Sequence, residues 1–535
     1  MTSPHITGKS RIGHQPGAAL GRSFSALNPA EAKNLPERFY DASPREVDEA
    51  LLAADRCHRA FRSLSATKRS EFLEHIAGGI EEHQKLIVGR AHLETALGEA
   101  RIQGELARTT AQLRMFAALV REGSWVEAVI DSGNPARRPS PKPDIRKMRV
   151  ALGPIIVFAA GNFPLAFSVA GGDTASALAA GNPVVVKAHS GHPGTSELVA
   201  DVILAAADET GMPEGVFSMI HGSSFDPGNS LVMHERTAAV AFTGSFQGGM
   251  ALFRLAQERR RPIPVFAEMG STNPIVVLPE ILRADPARVA ALLCDSVTLG
   301  GGQFCTKPGI IVVRNSEGLD QFERTLASVL ETKAGQPLLG RTIAERFDQS
   351  LRHIRTVPAV RTIFDTNEWD GLSPSPFVGE IDSADFLEHP ELHDETFGPF
   401  ALIVACNSLE AMIRVVESFE GQLTMTVHGT EEELRTSREL TDRMEERAGR
   451  LICGGVPTGV EVCSAMQHGG PYPASTDGRF TSVGHAAIQR FTRPVAFQDW
   501  PDSLLPPELC NANPRHILRS VDGTWTREPI TAGGA

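Results

Sequence analysis

No long basic run interrupts this sequence. Its 52 Lys and Arg face 64 Asp and Glu, and the formal net charge of −12 is spread along 535 residues. A nucleic acid is therefore not an expected partner. Cysteines are few and odd in number, at positions 57, 294, 305, 406, 453, 463 and 510. Such a set, widely spaced in a long chain, speaks against a disulfide framework and fits reduced thiols in a cytosol. The first residues, Met1-Thr-Ser-Pro-His-Ile-Thr-Gly-Lys-Ser-Arg, lack an apolar core. No secretory signal is expected, and the chain reads as a cytoplasmic protein. One long uncharged run, Val150 to Gly172, contains Pro154, Pro164, Asn162 and four glycines, which predicts strand, loop and helix start rather than a membrane span. Internal repeats and low-complexity tracts are absent, and no G-x-G-x-x-G opens a helix.

What is present is ordinary for a globular chain: 41% hydrophobic and 22% charged residues. The length allows two or three subdomains with a large core. The polar, Gly-rich residues 1–22 read as a loosely ordered tail. Ser43-Pro44-Arg45-Glu46 forms a capping box with proline at the first helical position, and Val47, Leu51, Ala54 and Phe61 share the face that follows. Further helices are predicted over Lys68 to Glu81 and Arg101 to Glu122. Pro135 to Lys147 is basic and proline-rich, hence extended. Short apolar runs then alternate with helical ones, the signature of a parallel α/β layer. The strands are expected at 155–159, 183–187, 216–220, 239–243 and 264–267. Ligands collect at the carboxyl ends of such strands, where Asn162, Lys187, Gly244, Ser245 and Glu268 stand. A second α/β segment follows Gly270, with strands at 274–278, 310–313 and 401–405.

Within that second segment Gly300-Gly301-Gly302-Gln303-Phe304-Cys305-Thr306-Lys307-Pro308-Gly309 places one cysteine in a glycine-rich bend. The bend follows a helix capped by Asp285 and precedes the strand at Ile310. Glycines let backbone amides approach a thiol presented this way. Gly302 to Thr306 resembles the nucleophile motif of aldehyde dehydrogenases, and the likeness runs from about Phe24 to Pro501. Other stretches carry it in the same order: Gly161-Asn162-Phe163-Pro164, Phe266-Ala-Glu-Met-Gly, Phe242-Thr-Gly-Ser and Asp394-Glu-Thr-Phe-Gly-Pro-Phe.

That resemblance implies an α/β fold of two open parallel-sheet domains plus a small oligomerisation hairpin. The cofactor-binding domain would span 23–134 and 150–266, and the catalytic domain 267–485. Residues 135–149 and 486–505 would bridge subunits, with a C-terminal tail over 506–535. It also implies roles. Cys305 would be the nucleophile, Asn162 an oxyanion donor beside the Cys305 amide, and Glu268 the general base, its pKa raised by apolar Phe266 and Met269. Lys187 would hold the adenosine ribose, Gly244 and Ser245 the pyrophosphate at a helix start, Glu395 the nicotinamide ribose, and Phe397 the nicotinamide. NAD-selective relatives tend to carry Glu three residues after the lysine. Ser190 stands there instead, which points to NADP as the preferred cofactor, with NAD possible.

Ala170-Gly-Gly-Asp-Thr-Ala-Ser, His192-Pro-Gly-Thr-Ser-Glu-Leu and Gly469-Gly-Pro-Tyr-Pro-Ala-Ser-Thr-Asp are similar to stretches of 2-oxoglutarate semialdehyde dehydrogenases. The implied reaction oxidises 2,5-dioxopentanoate to 2-oxoglutarate, with Arg479 a candidate for the substrate carboxylate. A nearby branch with similar motifs acts on fatty or medium-chain aldehydes with NADP and is the alternative. A non-catalytic nucleotide-binding relative is the reading of another class. Expected partners are a small aldehyde and further copies of the chain, as a homodimer or homotetramer, with no membrane. His389-x3-His393 among carboxylates mimics a metal site, but Pro390 breaks the helical spacing and no metal is expected. The sequence departs from its relatives at Gly161, Lys307 and Cys453-Gly454-Gly455, which leaves substrate scope open.

Overall fold

Residues 6–531 are described by a computed structural model. The front of the chain is helical: α1 (Pro44–Arg62), α2 (Ala66–Glu82), α3 (Gln84–Thr95) and α4 (Glu99–Glu122). The predicted capping box starts α1: Ser43 Oγ accepts the Glu46 amide at 3.3 Å, and Glu46 Oε2 accepts the Ser43 amide at 2.8 Å. The buried Val47, Leu51, Ala54 and Phe61 fix its inward face.

These helices lie against a seven-stranded sheet whose parallel strands run in the order Val265–Glu268, Ala239–Thr243, Ile155–Phe158, Val184–Lys187, Phe217–Ile220. Crossovers pass through α5 (Gly172–Ala180), α6 (Pro193–Glu209), α7 (Asp226–Met233) and α8 (Phe246–Gln257). Lys187 pairs with Phe158, and Thr243 with Glu268, so the carboxyl ends are level. The uncharged run 150–172 holds the end of one strand (Ile145–Ala151), the strand Ile155–Phe158, a loop and the first residue of α5, consistent with its prolines. Among the described residues no helix is long and apolar enough to cross a membrane.

A second seven-stranded sheet runs Arg361–Phe364, Phe377–Asp382, Phe400–Cys406, Ile310–Arg314, Ile275–Val277, Gln422–His428, Ala448–Cys453. Only its first strand is antiparallel. The short α9 (Pro279–Ala284) leads to α10 (Pro286–Thr298), where Asp285 accepts the Arg288 amide at 3.1 Å. A third sheet has five strands: Thr492–Gln498, Ile145–Ala151, Val129–Asp131, Arg519–Val521 and Thr524–Thr526.

Within the described residues, both ends of the chain are tied down. Residues 1–5 and 532–535 lie outside the described residues, but from Thr7 the chain is tied down. The Thr7 amide donates to Glu197 at 2.6 Å, Arg11 pairs with Glu197 and Asp201, and Arg11–Ile12 extends the first sheet beside Met219. A buried carboxylate on α6 supplies an anchor that the polar composition of the segment does not reveal. At the other end Leu505, Leu509 and Ile517 are buried, and Arg519–Val521 pairs with Val129–Asp131.

Candidate active site

The nucleophile bend is held from both sides. Gly300, Gly301 and Gly302 have φ of 60, 67 and 69°, a region open to glycine but costly for other residues. A Cβ on Gly302 would collide with the Gly398 carbonyl, so the bend rests directly on the segment that carries Glu395. Gln303, fully buried, donates to Gly300 and Pro337 carbonyls and accepts the Leu339 amide. Asn273 Nδ2 donates to the Cys305 carbonyl at 2.9 Å and the Lys307 carbonyl at 3.1 Å. Lys307 is buried, its ammonium donating to the Thr396 and Phe400 carbonyls at 3.1 and 3.0 Å.

Cys305 Sγ lies 3.6 Å from His468 Nε2, and the same nitrogen is 3.1 Å from Glu268 Oε1. Ser482 Oγ donates to Glu268 Oε2 at 2.6 Å. Burial and the nearby Glu268 carboxylate push the Cys305 thiol well above its ordinary range, with Arg108 pulling the other way. Burial alone would raise Glu268 too, but the His468 charge and the hydrogen bonds from His468 and Ser482 outweigh it and leave its pKa lowered. The expected upward shift of Glu268 is therefore corrected. Its supposed apolar neighbours face elsewhere: Phe266 packs on Phe480 and Phe491, and Met269 belongs to the cluster under α8.

Asn162 is brought to the same bend, its Nδ2 donating to the Gln303 carbonyl at 3.1 Å. One of its two amide hydrogens remains for a ligand. Its loop is fixed by Glu105 of α4, whose Oε1 accepts the Leu165 and Ala166 amides. Gly161 has no room for a side chain because the His189 ring fills the space.

On the other side, the carboxyl ends of the first sheet make a site for an anionic nucleotide. Lys187 donates to the Ala188 carbonyl at 3.1 Å and to the Gly222 carbonyl. Burial lowers its pKa to about 8, and one proton stays unengaged. Ser190 is half-buried three residues on. Ser245 caps α8 in an exposed turn; the Gly244 amide donates to the Glu268 carbonyl at 3.1 Å, while the Phe246 and Gln247 amides of the first turn have no partner within the helix. Thr243 Oγ1, just before the turn, is buried without a partner. Glu395 is packed against Gly270, where a Cβ would strike its carboxylate; burial raises its pKa to about 7 against the pull of Lys307. Phe397 follows, half-buried. An orphaned hydroxyl, open helix-start amides and a lysine on one edge fit a dinucleotide.

Arg479 is elsewhere. Its side chain is 83% exposed and paired with Asp477 at 2.6 Å in a surface turn, so the expected contact with a substrate carboxylate is corrected. His389 and His393 do not converge as ligands: their rings bond the Asp385 and Phe386 carbonyls. Glu268, Cys305 and His468 do place three donor atoms within 4.8 Å of one another. A thiophilic cation could be held there only by occupying the nucleophile.

Sequence reasoning missed His468, Ser482 and Arg108. The first two flank the stretch Gly469 to Asp477, but nothing local aims them at residues 268 and 305. Arg108 faces inward from α4 toward Phe167, its Cζ 5.3 Å from the ring centre.

The aldehyde dehydrogenase family profile matches residues 16–345. The chain is 45% identical over 521 residues to "Alpha-ketoglutaric semialdehyde dehydrogenase 2" of Azospirillum brasilense, covering 97% of this chain and 99% of that one. It is 41% identical to "Alpha-ketoglutaric semialdehyde dehydrogenase" of Acinetobacter baylyi over the same shares. Among solved structures, aldehyde dehydrogenase C of Pseudomonas syringae, complexed with NAD+ and octanal, superposes with a TM-score of 0.80 at 19% identity, covering 94% of this chain and 98% of that one. Lactaldehyde dehydrogenase of Escherichia coli gives 0.78 at 22% identity, covering 92% and 98%.

Proposed function

The chain belongs to the aldehyde dehydrogenase family, and from that premise we propose that it oxidises 2,5-dioxopentanoate to 2-oxoglutarate with NADP preferred over NAD. Family membership makes it an NAD(P)-dependent enzyme that turns an aldehyde into a carboxylate. The substrate is inferred from the two relatives' activity. The observation that carries the mechanism is the convergence of Cys305, His468 and Glu268 on one nitrogen.

Cys305 attacks the aldehyde carbon as its thiol proton passes to His468 Nε2, and a thiohemiacetal forms. The remaining Asn162 hydrogen and the Cys305 amide meet the developing oxyanion. The nicotinamide of a bound cofactor would supply the hydride acceptor, and loss of hydride leaves Cys305 as a thioester. Glu268 then takes a proton from water as that water attacks the thioester, and His468 returns its proton to the departing sulfur, releasing the acid and the thiol. Lys187, Ser190, Gly244, Ser245, Glu395 and Phe397 would hold the cofactor.

The NADP preference is supported by Ser190, which offers a hydroxyl where a carboxylate would repel a 2′-phosphate. Asp41, the charge that acts on Lys187, has both oxygens taken by Ser223 and Ser224. Ser190→Glu is expected to shift the NADP/NAD ratio of kcat/KM by about tenfold or more toward NAD. A wild-type ratio already favouring NAD would reject the preference.

The substrate test is the rate of NADPH formation with 2,5-dioxopentanoate against hexanal and decanal. Highest kcat/KM on the keto acid is expected. Preference for decanal would move the chain to the fatty-aldehyde branch, a reading favoured by the aromatic cluster of Phe163, Phe167 and Phe304. Subunits are proposed to pair through the third sheet, since Ile145, Trp500, Leu504 and Trp525 are exposed on it and the turn beyond.

A further inference from the structure

Helix α4 carries Arg101, Glu105 and Arg108 at spacings of four and three, hence on one face. Two of them are spent on structure. Glu105 Oε1 binds the Leu165 and Ala166 amides. Arg101 donates to the Asn162 carbonyl at 2.9 Å and lies over the Phe304 ring, 4.6 Å from its centre. Arg108 is not spent. Among the described residues it has no hydrogen bond and no ion pair, and its Nε and Nη2 are buried without partners.

Its surroundings define what would fill that capacity. The guanidinium rests on Phe167, whose ring centre is 6.2 Å from that of His468 and 5.3 Å from that of Phe163. Phe163 in turn is 5.4 Å from Phe304, next to the nucleophile. These rings, with Ala160, Ala166, Val483 and flanking Val460, Val462 and Met466, form one apolar cluster. Arg108 is thus a cation on an aromatic wall that ends at the thiol. Burial lowers its pKa, and Cys305, Glu105, Glu268 and Glu461 pull the other way. The three carboxylates each spend one oxygen elsewhere, Glu105 Oε1 on the Leu165 and Ala166 amides, Glu268 Oε2 on Ser482 and Glu461 Oε1 on the Val462 amide, and among the described residues none of them hydrogen-bonds Arg108. Arg450, the other arginine sensing Cys305, spends both terminal nitrogens on the Gly459 and Pro457 carbonyls.

We propose that Arg108 binds the carboxylate at the far end of a short aldehyde acid whose carbonyl is at Cys305. A half-buried, unpaired guanidinium is costly, and a planar carboxylate offsets that cost through two parallel hydrogen bonds. The inference rests on the substrate reading above and deepens it by naming the residue that separates a semialdehyde acid from a neutral aldehyde.

The test uses the full-length enzyme with Arg108→Met and Arg108→Lys. Two readouts are compared: the ratio of kcat/KM for 2,5-dioxopentanoate to that for pentanal, and protection of Cys305 by glutarate against iodoacetamide. In Arg108→Met the ratio is expected to fall about 10²-fold, chiefly through KM on the keto acid, and glutarate protection to weaken by a similar factor. Arg108→Lys keeps the charge but loses the fork, so it should fall between. If Arg108→Met does not fold, the lysine variant carries the same comparison. An unchanged ratio with unchanged protection overturns the proposal, as does an equal loss on both aldehydes. A wild type that prefers neutral aldehydes, yet loses glutarate protection on mutation, would reject the substrate and keep the anion site.

Discussion

Cys305→Ala is expected to lose dehydrogenase activity by about 10⁴-fold or more with every aldehyde, as removal of a covalent nucleophile does. The loss should come with little change in thermal stability. The side chain is small and half-exposed, and the hydrogen bonds that hold the bend are made by the Cys305 and Lys307 carbonyls and by Gln303, none of which the mutation removes. A companion result concerns pH. Burial and Glu268 both favour the neutral thiol, so alkylation of Cys305 in the free enzyme should keep climbing with pH beyond the range where an ordinary thiol has levelled off. Residual turnover in the alanine variant above a hundredth of wild type would mean that another group carries the acyl transfer.

Glu268→Gln separates the two halves of the reaction. The amide keeps the shape and can still accept from Ser482, but it cannot take a proton from water. Steady-state turnover should drop about 10²–10⁴-fold, while one equivalent of NADPH per site still appears in a rapid burst, with acylated Cys305 accumulating. Because His468 and Ser482 hold the Glu268 pKa down, the base stays ionised through neutral pH. Thioester hydrolysis in the wild type should then fail only in acid, as pH drops through a value below the usual carboxylate range. A burst that vanishes along with turnover would place Glu268 before the thioester instead.

Local rules made part of this architecture legible. The starts of α1 and α10 follow from Ser43, Glu46 and Asp285, since caps are written in a few adjacent residues. The strands of the first sheet are apolar runs, and the structure places them within a residue or two. α3 escaped because its inward face is partly charged: Arg90 and Glu94 pair at 2.9 Å, and Glu94 also accepts the Gly194 and Thr195 amides at the start of α6. Its apolar face is short, limited to Ile87, Val88 and Ala91. The strand Gln422–His428 is buried throughout, but it carries Gln, two Thr and His; Gln422 Oε1 accepts the Thr272 and Asn273 amides. The site divides in the same way. Motif residues 305, 268 and 162 were readable, whereas His468 comes from a loop 163 residues past the nucleophile. Its aim depends on tertiary packing. Arg479 misled because a cation in a loop gives no hint of direction, and Asp477 two positions away was a sufficient partner.

Catalytic loops commonly move independently of one another. Lys307 removes that freedom here. Its buried ammonium grips the Thr396 and Phe400 carbonyls, and Gly302 lies flush on Gly398. The piece that presents the thiol and the piece that carries Glu395 are thus geared together. Any rearrangement that loosens one for departure of a spent nucleotide must carry the other with it.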